Sequence, residues 1–267
     1  MVMTVDTMRR PVGEQLRGWR ERRRLSQLEL AIEADVSTRH LSFVETGRSR
    51  PSRDMVLHLA ERLEVPLRER NRLLLAAGYA PAFQENSLDS ASLKPVAAAV
   101  RQILAGHEPY PAVVVNARSE LLDANSAVGL FLGDVAPHVL VPPVNVLRVA
   151  LHPDGMARNI VNLPVWRSHL LERLRRQIAT TGDPMLHDLL DEVTGYPGGE
   201  HPDGLDAGAA VALPLVYRHA GKELTFVSTL ATFGAPLDIT VAELAIEAFY
   251  PADTETAAVL RSTTAVS

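Results

Sequence analysis

The stretch "LSQLELAIEADVSTRHLSFVETGRSRPS", Leu25 to Ser52, decides how the chain is read. Ser26, Ser37 and Ser52 each stand just before a short apolar-periodic run, where a serine hydroxyl accepts hydrogen bonds from the free backbone N–H groups of a first helical turn. The spacing predicts helices over about 27–34 and 38–45, with a break at Asp35 to Ser37. On a helical wheel Leu41 and Val44 fall together, with Ser37 and Glu45 at the edges of that side, so this side faces inward. Thr38, Arg39, Ser42 and Phe43 fall on the other. That outer set, with Ser37 at its edge, suits a major groove: arginine pairs bidentately with guanine, threonine and serine bond to several base edges, and an apolar ring touches the thymine methyl. Gln27 opens the preceding helix, where its amide and the free N–H groups can hold a phosphate. Arg48 and Arg50, in a loop with Gly47 and Pro51, are placed to clasp the backbone beside it. A lone arginine is ordinarily a solvated surface charge, and the argument rests on the conjunction of these features. It points to double-stranded DNA.

Outward from this stretch the pattern stays helical, with further helices predicted over about 14–24, 53–63 and 67–77. "GYAP" ends the last of these, because Gly78 suits a left-handed cap and Pro81 cannot continue a helix. The polar "FQENSLDSAS" reads as a linker. The expected organisation is a helical domain over 1–83, a linker over 84–92 and a second domain over 93–267. Charge divides at the same place. Residues 1–83 carry 15 arginines and no lysine against 11 acidic residues, a net +4, whereas the rest carries 12 basic against 21 acidic residues, a net −9. A basic module that meets a polyanion is joined to an acidic one that does not.

The chain is 267 residues long with 46% hydrophobic residues, enough for two cores, and no apolar run approaches a bilayer span. The start "MVMTVDTMRRPVGEQ" lacks the apolar region of an export signal, and the absence of cysteine removes disulfides and thiolate metal sites. A cytoplasmic protein with no membrane partner is expected.

In the second domain the helix "LKPVAAAVRQILAG" precedes two short strands in "YPAVVVNARSELLDAN", with a turn near Ala117 to Ser119. Helices in "LPVWRSHLLERLRRQIATTG" and "DPMLHDLLDEV" form the centre. Two or three strands follow in "GAAVALPLVYRHAGKELTFVSTLATF", and "TVAELAIEAF" reads as a last helix. Strands at both ends with helices between predict an antiparallel sheet covered on one side, an α+β domain. Phe131, Leu163, Trp166, Leu170, Leu215, Phe226 and Phe233 are candidates for its interior, ordinarily as core. A carboxylate-bearing ligand would need a cation or amide at the mouth of a cavity, and Arg158 and Asn159 are the candidates, although a surface salt bridge accounts for Arg158 equally well. There is no G-x-S-x-G elbow, Walker-type glycine loop or H-E-x-x-H pair, the nine histidines are dispersed, and no cofactor, metal site or catalysis is expected.

Residues 16–65, through "LSQLELA", the "VS" turn, "FVETGRSRPS" and "LAERLEV", resemble the helix-turn-helix repressors of the phage-repressor and xenobiotic-response-element type. The resemblance implies that Gln27, Arg48 and Arg50 touch phosphates, that Ser37, Thr38, Arg39, Ser42 and Phe43 read bases, and that Arg20 and Glu45 form an inward salt bridge. Asp35 departs from the pattern, standing where many relatives carry glycine. From "GYAP" to about residue 250, "PYPAVVVNARSELLDAN", "LHPDGMARNIVNLPVWRSHLLERLRRQ" and "GDPMLHDLLDEV" resemble the C-terminal domain of MmyB-like transcription regulators. This implies a PAS-like sensor fold with an apolar cavity that can hold a fatty-acid-like ligand; on the reading of the residues themselves, Phe131, Leu163, Trp166, Leu170, Phe226, Arg158 and Asn159 are its candidate contacts.

The fold class expected is therefore an all-α helix-turn-helix domain of five short helices, plus an α+β PAS-like domain with an antiparallel sheet. Its partners would be double-stranded operator DNA, a small hydrophobic effector and a second copy of the chain, since one module alone gains limited specificity. Two other readings stay open on the residues alone. In one the second domain is a dimerisation or docking platform without a ligand, and in the other the N-terminal helices bind a protein.

Overall fold

The computed structural model describes residues 10–199, 213–234 and 236–264. Serine side chains start three of the N-terminal helices. α2 (Gln27–Glu33) follows α1 (Val12–Arg22) and begins on Ser26, whose hydroxyl accepts the Glu29 N–H at 3.2 Å while the Glu29 carboxylate accepts the Ser26 N–H at 2.6 Å. These two bonds satisfy two otherwise unpaired donors at once. α3 (Thr38–Glu45) begins on Ser37, which accepts from the His40 N–H, and α4 (Arg53–Arg62) on Ser52, which accepts from the Met55 N–H. α5 (Leu67–Ala76) completes the set. Every bound lies within two residues of the one expected.

Between α2 and α3 the chain turns through Asp35 at φ 50°, the left-handed region that aspartate tolerates better than most residues. The turn is short because this one residue reverses the chain, and it lets Leu30 and Ala31 of α2 share a core with Leu41 and Val44 of α3 and with Leu16 and Trp19 of α1. α1 meets the end of α3 backbone to backbone. A Cβ placed on Gly13 would lie 2.2 Å from the Val44 carbonyl oxygen and 2.8 Å from that of Glu45. Gly13→Ala is therefore expected to lower stability by about 1–3 kcal/mol through forced separation of the two helices. Urea unfolding checks this, and an unchanged midpoint would mean that the helices part without strain.

The second unit is built on one five-stranded antiparallel sheet. After α6 (Lys94–His107), β1 (Ala112–Val115) and β2 (Leu121–Ala124) form a hairpin that turns through Ser119 at φ 61°. Two short helices, α7 (Gly129–Leu132) and α8 (Val146–Leu151), lead to the longer α9 (Leu163–Thr181) and to α10 (Pro184–Thr194). β3 (Leu215–His219) and β4 (Lys222–Thr232) pair across a turn at Ala220 and Gly221, both at positive φ, as the "HAGKE" segment predicts. The part of the expected strand region before Leu213 lies outside the described residues.

Two expectations are corrected. Of "TVAELAIEAF", only the start is helical, in α11 (Ile239–Ala242), and Ala245–Pro251 is β5, the central strand, bonded to β1 on one side and β4 on the other. Alanine and glutamate favour a helix in isolation, but two waiting strands satisfy the backbone groups of this segment, and tertiary pairing outweighs a weak local preference. A helix absent from the sequence reading, α12 (Thr254–Thr264), follows it. The sheet is also covered on both faces at β1. Ala112 and Val114 pack with Val100 and Leu104 of α6, while Val113 and Val115 pack with Val128, Leu132 and Val146 on the other face. The run "AVVV" is apolar throughout because both sides of its strand are buried.

The chain separates into two compact units, one holding residues up to Glu85 with the short pieces Gln177–Pro184 and Pro236–Ile239, the other holding Asn86–Arg176, Met185–Ala235 and the segment from Thr240 onward. No helix among the described residues is long and apolar enough to cross a membrane.

Candidate DNA-binding surface and effector cavity

Leu41, Val44 and Glu45 hold α3 to the first unit from within, each no more than 4% exposed. The Glu45 carboxylate collects three donors: Arg20 Nε at 2.7 Å on Oε1, and Arg20 Nη2 at 2.9 Å with Gln27 Nε2 at 2.8 Å on Oε2. Arg20 Nη1 also donates to the Leu25 carbonyl at 2.7 Å. This network ties α1, α2 and α3 together. Its hydrogen bond to Glu45 raises the Arg20 pKa against the opposing effect of burial.

At the start of α3 and over the rest of its surface, Ser37 and Arg39 are exposed while Thr38, Ser42 and Phe43 are half-buried. The Arg39 guanidinium lies 5.4 Å from the Phe43 ring centroid and that of Arg48 lies 5.9 Å from it. One aromatic ring thus gathers two cations onto one exposed patch, an arrangement that orders both side chains before any anion arrives. Arg39 and Phe43 form this patch on α3, and Arg48 joins it from the loop.

The other two residues expected at phosphates are engaged within the unit. The Gln27 amide donates to Glu45, and Arg50 donates from Nε at 3.2 Å and from Nη2 at 2.8 Å to the Ala77 carbonyl at the end of α5. Arg50 also lies over Tyr79, whose hydroxyl donates to the Pro51 carbonyl. A cation at a helix C-terminus meets unpaired carbonyls there, so Arg50 has a structural task in this arrangement.

The second unit encloses a cavity of about 250 Å³. Its walls come from β1, β2, β3, β5, α7, α8 and α9, with Val113, Phe131, Leu147, Trp166, Leu170 and Phe249 among the apolar side chains. Arg173 and Glu247 are the charged residues among the described lining. They face each other in a bidentate pair, with Arg173 Nη1 and Nη2 each 2.9 Å from a Glu247 carboxylate oxygen. Burial opposes the charge on Arg173, but Glu247 outweighs it and the Arg173 pKa is raised.

Phe131, Trp166 and Leu170 line this cavity; Leu163, Phe226, Arg158 and Asn159 do not. Phe226 stands behind Phe131, fully buried, with ring centroids 5.4 Å apart. In the turn Met156–Asn159 it is Met156 that takes the inward position, which leaves Arg158 outside, 3.9 Å from Asp154. Asn159 donates to Asp134 at 2.9 Å and reaches the Tyr217 hydroxyl at 3.4 Å. Arg173 was legible, since Trp166, Leu170 and Arg173 are spaced four and three residues apart on one helical face. Glu247 was hidden by the helical reading of its segment.

A helix-turn-helix domain model matches residues 11–73, and the model of the MmyB-like transcription regulator ligand binding domain matches residues 96–262, more than half of the chain. The chain belongs to the MmyB-like transcription regulator family. A DNA-binding domain joined to a ligand-binding domain makes this MmyB-like regulator a ligand-responsive one, and both matches are to regulatory domains and not to enzymes. No curated protein matches it. Among solved structures, the chain is similar to one described as the structure of an RNA-binding light-oxygen-voltage receptor, at 14% identity and a TM-score of 0.25. That match covers 95% of the MmyB-like chain and 62% of the receptor chain.

Two of the nine histidines of this MmyB-like regulator meet beside a carboxylate: His138, His152 and Asp154 bring possible ligand atoms within 4.8 Å of one another. The Asp154 N–H donates to His152 Nδ1 at 3.0 Å, however, so the neutral ring carries its proton on Nε2. In that tautomer, with Nδ1 already accepting, the ring offers a metal no free lone pair. The arrangement suits hydrogen bonding better than metal ligation.

Proposed function

We propose that the regulator binds a two-fold related operator as a homodimer in the cytoplasm, reading bases with Ser37, Thr38, Arg39, Ser42 and Phe43, and that its second domain senses a small apolar molecule with a chain-like body of the fatty-acid class. The observation that carries the DNA reading is the exposed patch on which Phe43 gathers Arg39 and Arg48, set on a helix whose inner face is locked by Glu45. Gln27 and Arg50 reach phosphates in this reading by leaving the internal partners they now hold. The cavity supports the effector reading. Scaled from a 150 Å³ apolar cavity that takes benzene, its volume of about 250 Å³ accommodates a ligand of about ten non-hydrogen atoms. The effector acts by differing in affinity for two states of the regulator.

Selection of bound DNA from a random pool with the full-length protein tests partner, stoichiometry and spacing together, with a palindrome expected. On the selected site, Arg39→Ala should weaken binding by about 1–3 kcal/mol and relax the choice at one base position. Arg48→Ala should weaken all sequences alike and lower the salt slope by about 1. If neither change alters DNA retention, the surface assigned to DNA is wrong.

A further inference from the structure

The charged groups of the cavity are already compensated. Glu247 sits on the central strand β5 and is 5% exposed, and its partner Arg173 on α9 keeps 27% of its side chain exposed. Their bidentate pairing presents both donors and acceptors to the cavity with no net charge. A carboxylate that entered would be drawn to the guanidinium and repelled at similar range by Glu247, and it would give up its hydration among hydrocarbon walls. An uncharged polar group gives up much less. Its N–H or O–H can donate to Glu247 while its oxygen accepts from Arg173.

We infer that the cavity selects ligands whose polar end is uncharged, such as an amide, an alcohol or an un-ionised acid, and that the Arg173–Glu247 pair determines this choice. The inference rests on the proposed sensing of a small apolar molecule and specifies the chemistry of its polar end. Arg173 and Glu247 act here as specificity determinants, whereas Phe131, Trp166 and Leu170 fix size.

Calorimetric titration of the full-length protein with octanamide and with octanoate tests it, since the two are matched in chain length and in number of non-hydrogen atoms. At neutral pH, where octanoate is ionised, octanamide should bind at least about tenfold more tightly. Glu247→Gln leaves the guanidinium uncompensated and should reverse the order in favour of octanoate. Should that variant fail to fold, the double variant Arg173→Met/Glu247→Leu replaces the pair by apolar side chains of similar size and should weaken octanamide binding by about tenfold, since the amide loses both its donor and its acceptor, with octanoate still excluded by the cost of dehydrating its charge. Tighter binding of octanoate than octanamide to the unmodified protein, or octanamide binding that the double variant leaves unweakened, overturns the inference while leaving the sensor intact. Binding of neither compound, with none across shorter and longer homologues, overturns the sensor reading itself.

Discussion

Glu45→Ala is expected to destabilise the N-terminal unit by about 3–5 kcal/mol, the range for removing one partner of a buried ion pair. Glu45 is 4% exposed and Arg20 is 8% exposed, so the pair has left water almost completely. In the variant the Arg20 guanidinium keeps its bond to the Leu25 carbonyl but loses both of its bonds to carboxylate oxygen, and Gln27 loses its acceptor. The charge on Arg20 cannot readily be shed, and it remains buried with only the half-exposed Glu21 carboxylate, 3.9 Å away, as counter-charge. The exposed pair Arg17–Glu21, with side chains 61% and 53% exposed, supplies the internal comparison. Breaking it should change stability by less than about 1 kcal/mol. Guanidinium unfolding followed by far-UV circular dichroism measures both. The double variant Arg20→Met/Glu45→Leu should recover much of the loss, because the penalty lies in the orphaned charge more than in the missing attraction. A Glu45→Ala loss no larger than that of Arg17→Ala would show that water reaches the pair and that α3 is held by its apolar side alone.

That network also marks where sequence reasoning succeeds. The three serine caps and the inward turn of Leu41 and Val44 are set by neighbours within a few residues, so helices α2 to α4 are legible from short windows. The inward Glu45 is a different case. The helical wheel sets it only at the edge of the inward side, and the resemblance supplies its partner Arg20, 25 residues away. In the second unit the decisive contacts are longer still. Glu247 meets Arg173 across 74 residues, and β5 becomes a strand because β1 and β4 flank it, which nothing local to "AIEAFYP" announces. Arg158 stays out of the cavity lining for a related reason. In the turn Met156–Asn159 the two apolar residues, Met156 and Ala157, are buried, and Met156 takes the place at the cavity.

Phe131→Ala is expected to reduce stability of the second unit by about 3–5 kcal/mol and to move the size preference of the cavity toward longer ligands. The Phe131 ring makes edge-to-face contacts with Tyr217, Phe226 and Phe249 at centroid distances of 5.1, 5.4 and 5.2 Å. It anchors α7, a helix of only four residues, and it is also a wall of the cavity, so its removal leaves a void continuous with the 250 Å³ already present. A longer apolar chain can fill that void. Since a ligand that binds only the folded state stabilises it by about 2.7 kcal/mol at a hundred times its dissociation constant, filling should restore much of what the substitution removes. Thermal unfolding across a series of chain-length homologues reads this directly: the optimum should shift to longer chains in the variant, with a larger rise in midpoint than in the unmodified protein. Phe226→Ala separates the two effects. Phe226 belongs to the same aromatic cluster and is fully buried, but it stands behind Phe131 and does not line the cavity. Its removal should destabilise to a similar degree while leaving the preferred length unchanged. If both variants lose stability and neither changes the preferred length, the aromatic cluster is core alone and the ligand sits elsewhere in the domain.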